Sequence, residues 1–122
     1  MRRVELHDNT VEIILTGLTM LKALQARVSI PYANIRHAHD SLQIPPNLLH
    51  AGGTAIGTIQ EAHYIGEDGW YFLSYENPQR VITLELRDFH LGRQLYCAVA
   101  VEVDDPVALA KTVNARLSQS GE

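Results

Sequence analysis

Residues 69–86 read GWYFLSYENPQRVITLEL. Two runs rich in aromatic and β-branched residues, 70–75 and 81–86, are separated by the five residues 76–80, of which ENPQ has turn character. Each run alternates with the period of a strand. Val81, Thr83 and Glu85 share one side, and Ile82, Leu84 and Leu86 the other. Trp70, Phe72 and Ser74 face one way, and Tyr71, Leu73 and Tyr75 the other. Extended chain twice in eighteen residues makes this a sheet protein.

Working outward, AIGTIQEAHYI (55–65) and the turn GEDG (66–69) place a further strand before Trp70 and give a hairpin pattern. Downstream, RDFHLGRQ (87–94) reads as a connector and LYCAVAVEV (95–103) as a buried strand. Asp104 or Asp105 then caps a helix with Pro106 in its first turn. Val107, Leu109, Ala110, Val113 and Leu117 form its apolar stripe, predicting a helix from Pro106 to Leu117. At the other end of the chain, residues 2–17 read as two strands around Asp8 and Asn9, with Val11, Ile13 and Leu15 on one face. LTMLKALQA (18–26) predicts a short helix capped by Thr19, with Leu18, Leu21 and Leu24 a turn apart. Residues 27–40 are extended again, with a kink or edge position at Pro31, which lacks a backbone donor. SLQIPPNLLHAGGT (41–54) carries two prolines and two glycines and reads as a long loop.

The count is about seven strands, with a short early helix and a C-terminal capping helix. Strands at this spacing predict an antiparallel sheet bent into a sandwich or barrel, an α+β fold dominated by β. The chain has 122 residues, one ordinary domain, expected over 1–118 with a flexible tail at 119–122. Hydrophobic residues make up 46% and charged residues 20%, as in globular proteins. The net charge of −4 argues against non-specific attraction to nucleic acid or to an anionic membrane. The single cysteine, Cys97, excludes an internal disulfide and predicts a reducing, cytoplasmic location. The acidic and polar residues after Arg2 and Arg3 do not make a signal peptide, and no apolar run is long enough to insert in a membrane.

The stretches VEIILTGLTMLKAL (11–24), VSIPYANIRHA (28–38), GWYFLSYENPQRVITLEL and LYCAVAVEVDDPVALAKTVNARL (95–117) resemble a group of small, stand-alone, uncharacterised bacterial proteins with a pleckstrin-homology-like domain. In these a strand and short helix precede a V-x-[IV]-P strand, and VDDP opens the last helix. The resemblance covers nearly the whole chain and implies the fold. It brings no reaction with it. The clustered Lys and Arg with which phosphoinositide-binding domains of this fold hold phosphate are missing, since the first turn is His7-Asp8-Asn9 and the ten basic residues are scattered.

RHAHD (36–40) sets His37 and His39 on the same side of a strand. Two such imidazoles can share a zinc ion if a third ligand arrives, and His63 or Asp40 could supply it. The alternative is a polar outer face, and no metal or other cofactor is expected. Cys97 alternates with Val99, Val101 and Val103, which predicts a core position for an inert thiol. The glycines of AGGTAIGT fit no phosphate-binding pattern and suggest flexibility or a bulge. No nucleophile or general base stands in a recognisable catalytic setting. Aromatics on both faces of residues 70–75 have two contacts to make, one with the core and one with a partner. Leu48, Leu49, Trp70, Tyr71 and Tyr75 are therefore the interface candidates, with Leu48 and Leu49 folding back as a lid the alternative for the loop. Three functions follow: a non-catalytic binding and assembly module forming a homo-oligomer or taking a protein or peptide partner, a small metal-dependent enzyme built on His37 and His39, or a lipid- or small-molecule-binding barrel.

Overall fold

The computed structural model describes residues 2–16 and 27–119. The early helix expected over 18–26 lies outside the described residues. Strands β1 (Arg2–Leu6), β2 (Thr10–Leu15) and β3 (Arg27–Pro31) form an antiparallel sheet in the order β1-β2-β3. The expected hairpin at Asp8 and Asn9 is closed by a hydrogen bond from the His7 N–H to the Thr10 carbonyl, 2.9 Å. Pro31 ends an edge strand, as its missing donor requires, and a 3-10 turn at Tyr32–Asn34 leads into β4 (Ile35–His39).

The second sheet comprises β4, β5 (Leu49–Ile56), β6 (Ile59–Ile65), β7 (Trp70–Tyr75), β8 (Val81–Leu91) and β9 (Gln94–Glu102), in the order β4-β8-β9-β7-β6-β5. Helix α1 spans Pro106–Gln119, so the chain is still helical at the first residue of the expected tail. Among the described residues there are nine strands in two open sheets, β-dominated with one C-terminal helix, and no closed barrel. None of the described helices is long and apolar enough to cross a membrane.

Three expectations about the strands need correction. The sheet is mixed: β7 and β9 run parallel. The ENPQ turn carries the chain past one strand position, and the β8–β9 hairpin folds β9 back into the gap, beside both β7 and β8. Residues 87–91 are the end of β8 and no connector. A bulge there, with Asp88 at φ 54°, breaks the alternation that would reveal the strand. Likewise the loop expected over 41–54 ends early, because β5 begins at Leu49.

The core lies between the two sheets. Val11, Ile13, Leu15, Val28 and Ile30 pack against Phe72, Ile82, Leu84, Val99 and Val101, and α1 closes the layer with Ala110, Val113 and Leu117. The Asp105 carboxylate caps α1 by accepting from the Ala108 N–H, 3.1 Å. Val107 was expected in the stripe but is 61% exposed. At 100° per residue it stands about 120° from Val113 around the helix, off the buried face. A second apolar cluster covers the opposite face of the large sheet: Tyr71, Leu73, Tyr75, Val81, Ala98 and Ala100 lie under Leu42, Ile44 and Leu48 of the proline-containing loop.

Candidate functional site

Four of the six exposed large hydrophobic side chains among the described residues, Leu49, Ile56, Ile59 and Ile65, lie on β5 and β6, at one end of the six-stranded sheet. β5 is last in the sheet order, so no described strand pairs with its outer edge. Between Leu49 and Ile56 there is no Asp, Glu, Lys or Arg. A bulge falls between His50 and Gly52, leaving Ala51 without a partner on β6. That extra residue reverses the alternation on one side of it. Residues directly opposite in a ladder share a face, and the register pairs Leu49 with Ile65, Gly52 with His63, Thr54 with Glu61 and Ile56 with Ile59. Leu49, Ile56, Ile59 and Ile65 therefore stand on one face, though Leu49 and Ile56 differ in parity. Leu49 is 70% and Ile56 69% exposed.

The same face holds a cleft of about 340 Å³ lined by Gly52, His63, Trp70, Leu91, Gln94 and Tyr96, among others. His63 Nδ1 and the Tyr96 hydroxyl are hydrogen-bonded at 2.7 Å. The imidazole lies 4.8 Å from the Phe72 ring centroid, and the Trp70 and Tyr96 rings are 6.1 Å apart. Burial pushes the Tyr96 phenol above its usual range, so it stays neutral at physiological pH. Two aromatic rings and one imidazole around a shallow hollow suit a small apolar or planar group.

Topology rules out the alternative in which His63 completes a zinc site with His37 and His39. His37 and His39 are adjacent on β4, with ring centroids 4.7 Å apart, and His39 Nε2 lies 3.0 Å from Glu85. His63 is on β6, four strand positions away, or roughly 19 Å at the usual strand spacing, and it is buried. The three cannot share an ion.

The interface candidates divide. Leu49 is exposed, whereas Leu48 folds back onto the sheet, so the lid alternative holds for Leu48 alone. Tyr71 and Tyr75 are only 6% and 7% exposed and have their second contact within the chain, under that loop. Trp70 is half-buried at the cleft. Cys97 also departs from expectation. It sits at a bulge of β9, where Trp70 pairs with Tyr96 and Tyr71 with Ala98, so it packs with the second cluster while Val99 and Val101 face the main core. Burial raises the Cys97 thiol, partly offset by its hydrogen bond with Tyr71. Burial first, then the Cys97 neighbour, pushes Tyr71 up to about 12. Neither group is poised as a nucleophile.

Two polar clusters join residues far apart in sequence. Arg2 reaches from the small sheet into the large one, where it pairs with Glu61 and donates from Nε to Ser74 Oγ at 2.8 Å. Ser74 in turn donates to Glu61 Oε1 at 2.7 Å. All three are largely buried and satisfied, so the cluster ties the two sheets together. On the outer face of the small sheet, Glu5, His7 and Glu12 bring ligand atoms within 4.8 Å of one another, close enough for a metal ion. Arg27 already holds Glu12 at 2.8 Å and Arg3 holds Glu5 at 2.9 Å. The Arg27 hydrogen bond, with a second from His7, lowers the Glu12 carboxyl below its usual range. An ion would have to displace these partners. The hairpin around Asp8 and Asn9 was the available signal for this cluster, since it sets Glu5 opposite Glu12. For β5 the missed signal was Gly57-Thr58, a two-residue turn between isoleucines with Gly57 at φ 59°.

Comparisons with family models, curated proteins and solved structures give no match to this chain.

Proposed function

We propose that this chain is a non-catalytic binding and assembly module of the pleckstrin-homology-like kind, working by strand addition at the β5 edge. One observation carries the reading: β5 is a long edge strand without Asp, Glu, Lys, Arg or Pro, flanked by exposed apolar side chains on one face. Natural sheets usually blunt such an edge with Lys, Pro or a covering element, because unpaired backbone groups template another strand. An edge that no described strand pairs with suits β-augmentation, in which main-chain hydrogen bonds supply affinity and side chains supply choice. The lone cysteine supports a reducing, cytoplasmic setting. The test is an amide chemical-shift map of the full chain, recorded over a dilution series and in titration with a blocked alternating Thr-Val hexapeptide. Changes are expected in β5 and β6 under at least one condition. Unmoved β5 amides in both would overturn the reading.

A second reading, small-molecule binding, is favoured by the His63, Trp70 and Tyr96 cleft. Trp70 is the only tryptophan, so its fluorescence would report a planar apolar probe entering the cleft. An emission unchanged by millimolar indole-free aromatic probes, such as naphthalene sulfonate, would remove this reading.

A further inference from the structure

We propose that the occupant of the β5 edge is a second copy of this chain, paired antiparallel about a two-fold axis at Gly53, with Leu49 of each copy opposite Ile56 of the other. This rests on the reading of β5 as the working edge and adds the partner and the register. β5 has seven ladder positions, Leu49, His50, Gly52, Gly53, Thr54, Ala55 and Ile56, because Ala51 is the bulged residue. Gly53 is the middle one. Through the register with β6, Leu49, Gly52, Thr54 and Ile56 stand on one face, and His50, Gly53 and Ala55 on the other. Opposed residues must share a face. An antiparallel self-pairing centred on Gly53 meets that condition at every position: Leu49 meets Ile56, His50 meets Ala55, Gly52 meets Thr54, and Gly53 meets itself. Without the bulge, Leu49 and Ile56 would point to opposite faces and this match would fail.

The side chains agree with the geometry. The two large apolar side chains of the strand, both exposed, become cross-strand neighbours at both ends of the pairing. No ionised group of β5 is opposed to another, because the strand has no acidic residue, lysine or arginine. The centre is glycine for a reason internal to each copy. Gly53 has φ 85°, and a Cβ there would lie 2.1 Å from the Glu61 carbonyl oxygen. The axis thus falls where no side chain intrudes between the two backbones. The contact is isologous, so it closes at two copies and joins two six-stranded sheets into one of twelve, with the Ile59 and Ile65 patches of both copies on a common face.

Sedimentation velocity on the full chain from low to high micromolar concentration tests the register by charge exchange. Wild type should associate to dimer. Leu49→Lys and Ile56→Glu each act twice in a two-fold contact and should weaken it roughly ten-fold or more. The double variant Leu49→Lys/Ile56→Glu sets each lysine opposite a glutamate and should recover association to within a few-fold of wild type at low salt, with the recovery lost at high salt. Dimerisation that both single variants weaken but the double variant does not restore would overturn this register and leave the edge reading intact. A wild type that stays monomeric throughout would overturn the second copy as occupant, while the hexapeptide titration judges the edge by itself. All four side chains introduced or removed are exposed, and unchanged circular dichroism spectra show that folding is not the cause.

Discussion

At one end of the six-stranded sheet β4 is five residues long, carries Arg36, His37 and His39, and lies under α1. The Asn114 side chain from that helix accepts from the Ala38 N–H and donates to the Ala38 carbonyl, both at 2.9 Å. One amide thus supplies the donor and acceptor that a further strand would offer. At the other end β5 is eight residues long, carries one histidine, His50, but no Asp, Glu, Lys or Arg, and is unpaired by any described strand on its outer side. The two ends teach that being last in a sheet does not make an edge available. Its outward backbone groups must also lack a cap, and among the described residues β4 has one in Asn114 while β5 has no strand paired to its outer side.

The harshest way to break the comparison removes the cover from β4 altogether. Truncation after Asp105 strips Ala110, Val113 and Leu117 from the core and exposes the edge at Ala38. Losing three buried apolar side chains costs several kcal/mol, on the order of the whole stability of a domain. The truncated chain should lose its cooperative thermal transition and aggregate. A soluble monomer with an unchanged melting temperature would show that α1 is not the cover.

Asn114→Ala is a gentler cut. It leaves the helix packed and deletes only the two hydrogen bonds to Ala38. The Ala38 backbone groups lie beneath the helix, so the loss should be about 1–3 kcal/mol, measured by urea denaturation. It should also give β4 some of the character of β5, seen as weak self-association that survives the Leu49→Lys substitution. An Asn114→Ala chain with wild-type association would mean that the bulk of α1, and not its amide, closes this end.

How far these features could be read from the chain follows from how local each one is. The β1–β2 hairpin, the extent of β4 and the capped start of α1 rest on neighbours within a few residues, and Asp8-Asn9, Ile35 to His39 and Asp105-Pro106 display them. The position of β9 between β7 and β8 is a long-range choice that no alternation within ENPQ or LYCAVAVEV reports. Bulges hide more. At Ala51, Asp88 and Cys97 a single extra residue or a left-handed φ shifts the side-chain parity, so β5 looks like a glycine-rich loop, the end of β8 like a connector, and Cys97 like a partner of Val99. The candidate edge was therefore the least legible part of the molecule. Its glycines, which resemble flexible chain in sequence, are held in a ladder with β6.

The arrangement that makes β4 and β5 the two ends depends on β9 staying central, and Glu102 at the end of β9 helps to hold it there. Its Oε1 accepts from the Glu76 N–H at 2.7 Å and the Asn77 N–H at 2.9 Å, which pins the turn from β7 to β8. Burial alone would raise the Glu102 carboxyl, but those N–H groups, with Arg2 and Arg80 near by, carry it below the ordinary 4.5. A lowered folded pKa means that the folded chain binds fewer protons than the unfolded one. The stabilisation is therefore present above about pH 4.5 and is lost as pH falls through the folded value. Glu102→Gln should cost about 1 kcal/mol at neutral pH, and the gap to wild type should close in acid. A gap that widens below pH 4 would reverse the sign of this contribution.

The smallest expected effect separates the two guards of β4, charge and amide. His37 and His39 sit on the edge strand beside Arg36, and charged or polar residues of this kind are a common defence against strand addition. If they were the working defence, removing them would open β4. The Asn114 geometry argues otherwise, because the outward backbone groups at Ala38 are already satisfied whatever the neighbouring side chains carry. His37→Thr/His39→Thr keeps strand propensity and removes both imidazoles along with the 3.0 Å contact between His39 and Glu85. Exposed pairs of that sort contribute little. The double variant should therefore melt within about 0.5 kcal/mol of wild type and associate no more strongly at any pH from 5 to 8. Self-association that appears on this substitution and persists with Leu49→Lys would make the imidazoles the guard, and the amide a packing contact of the helix.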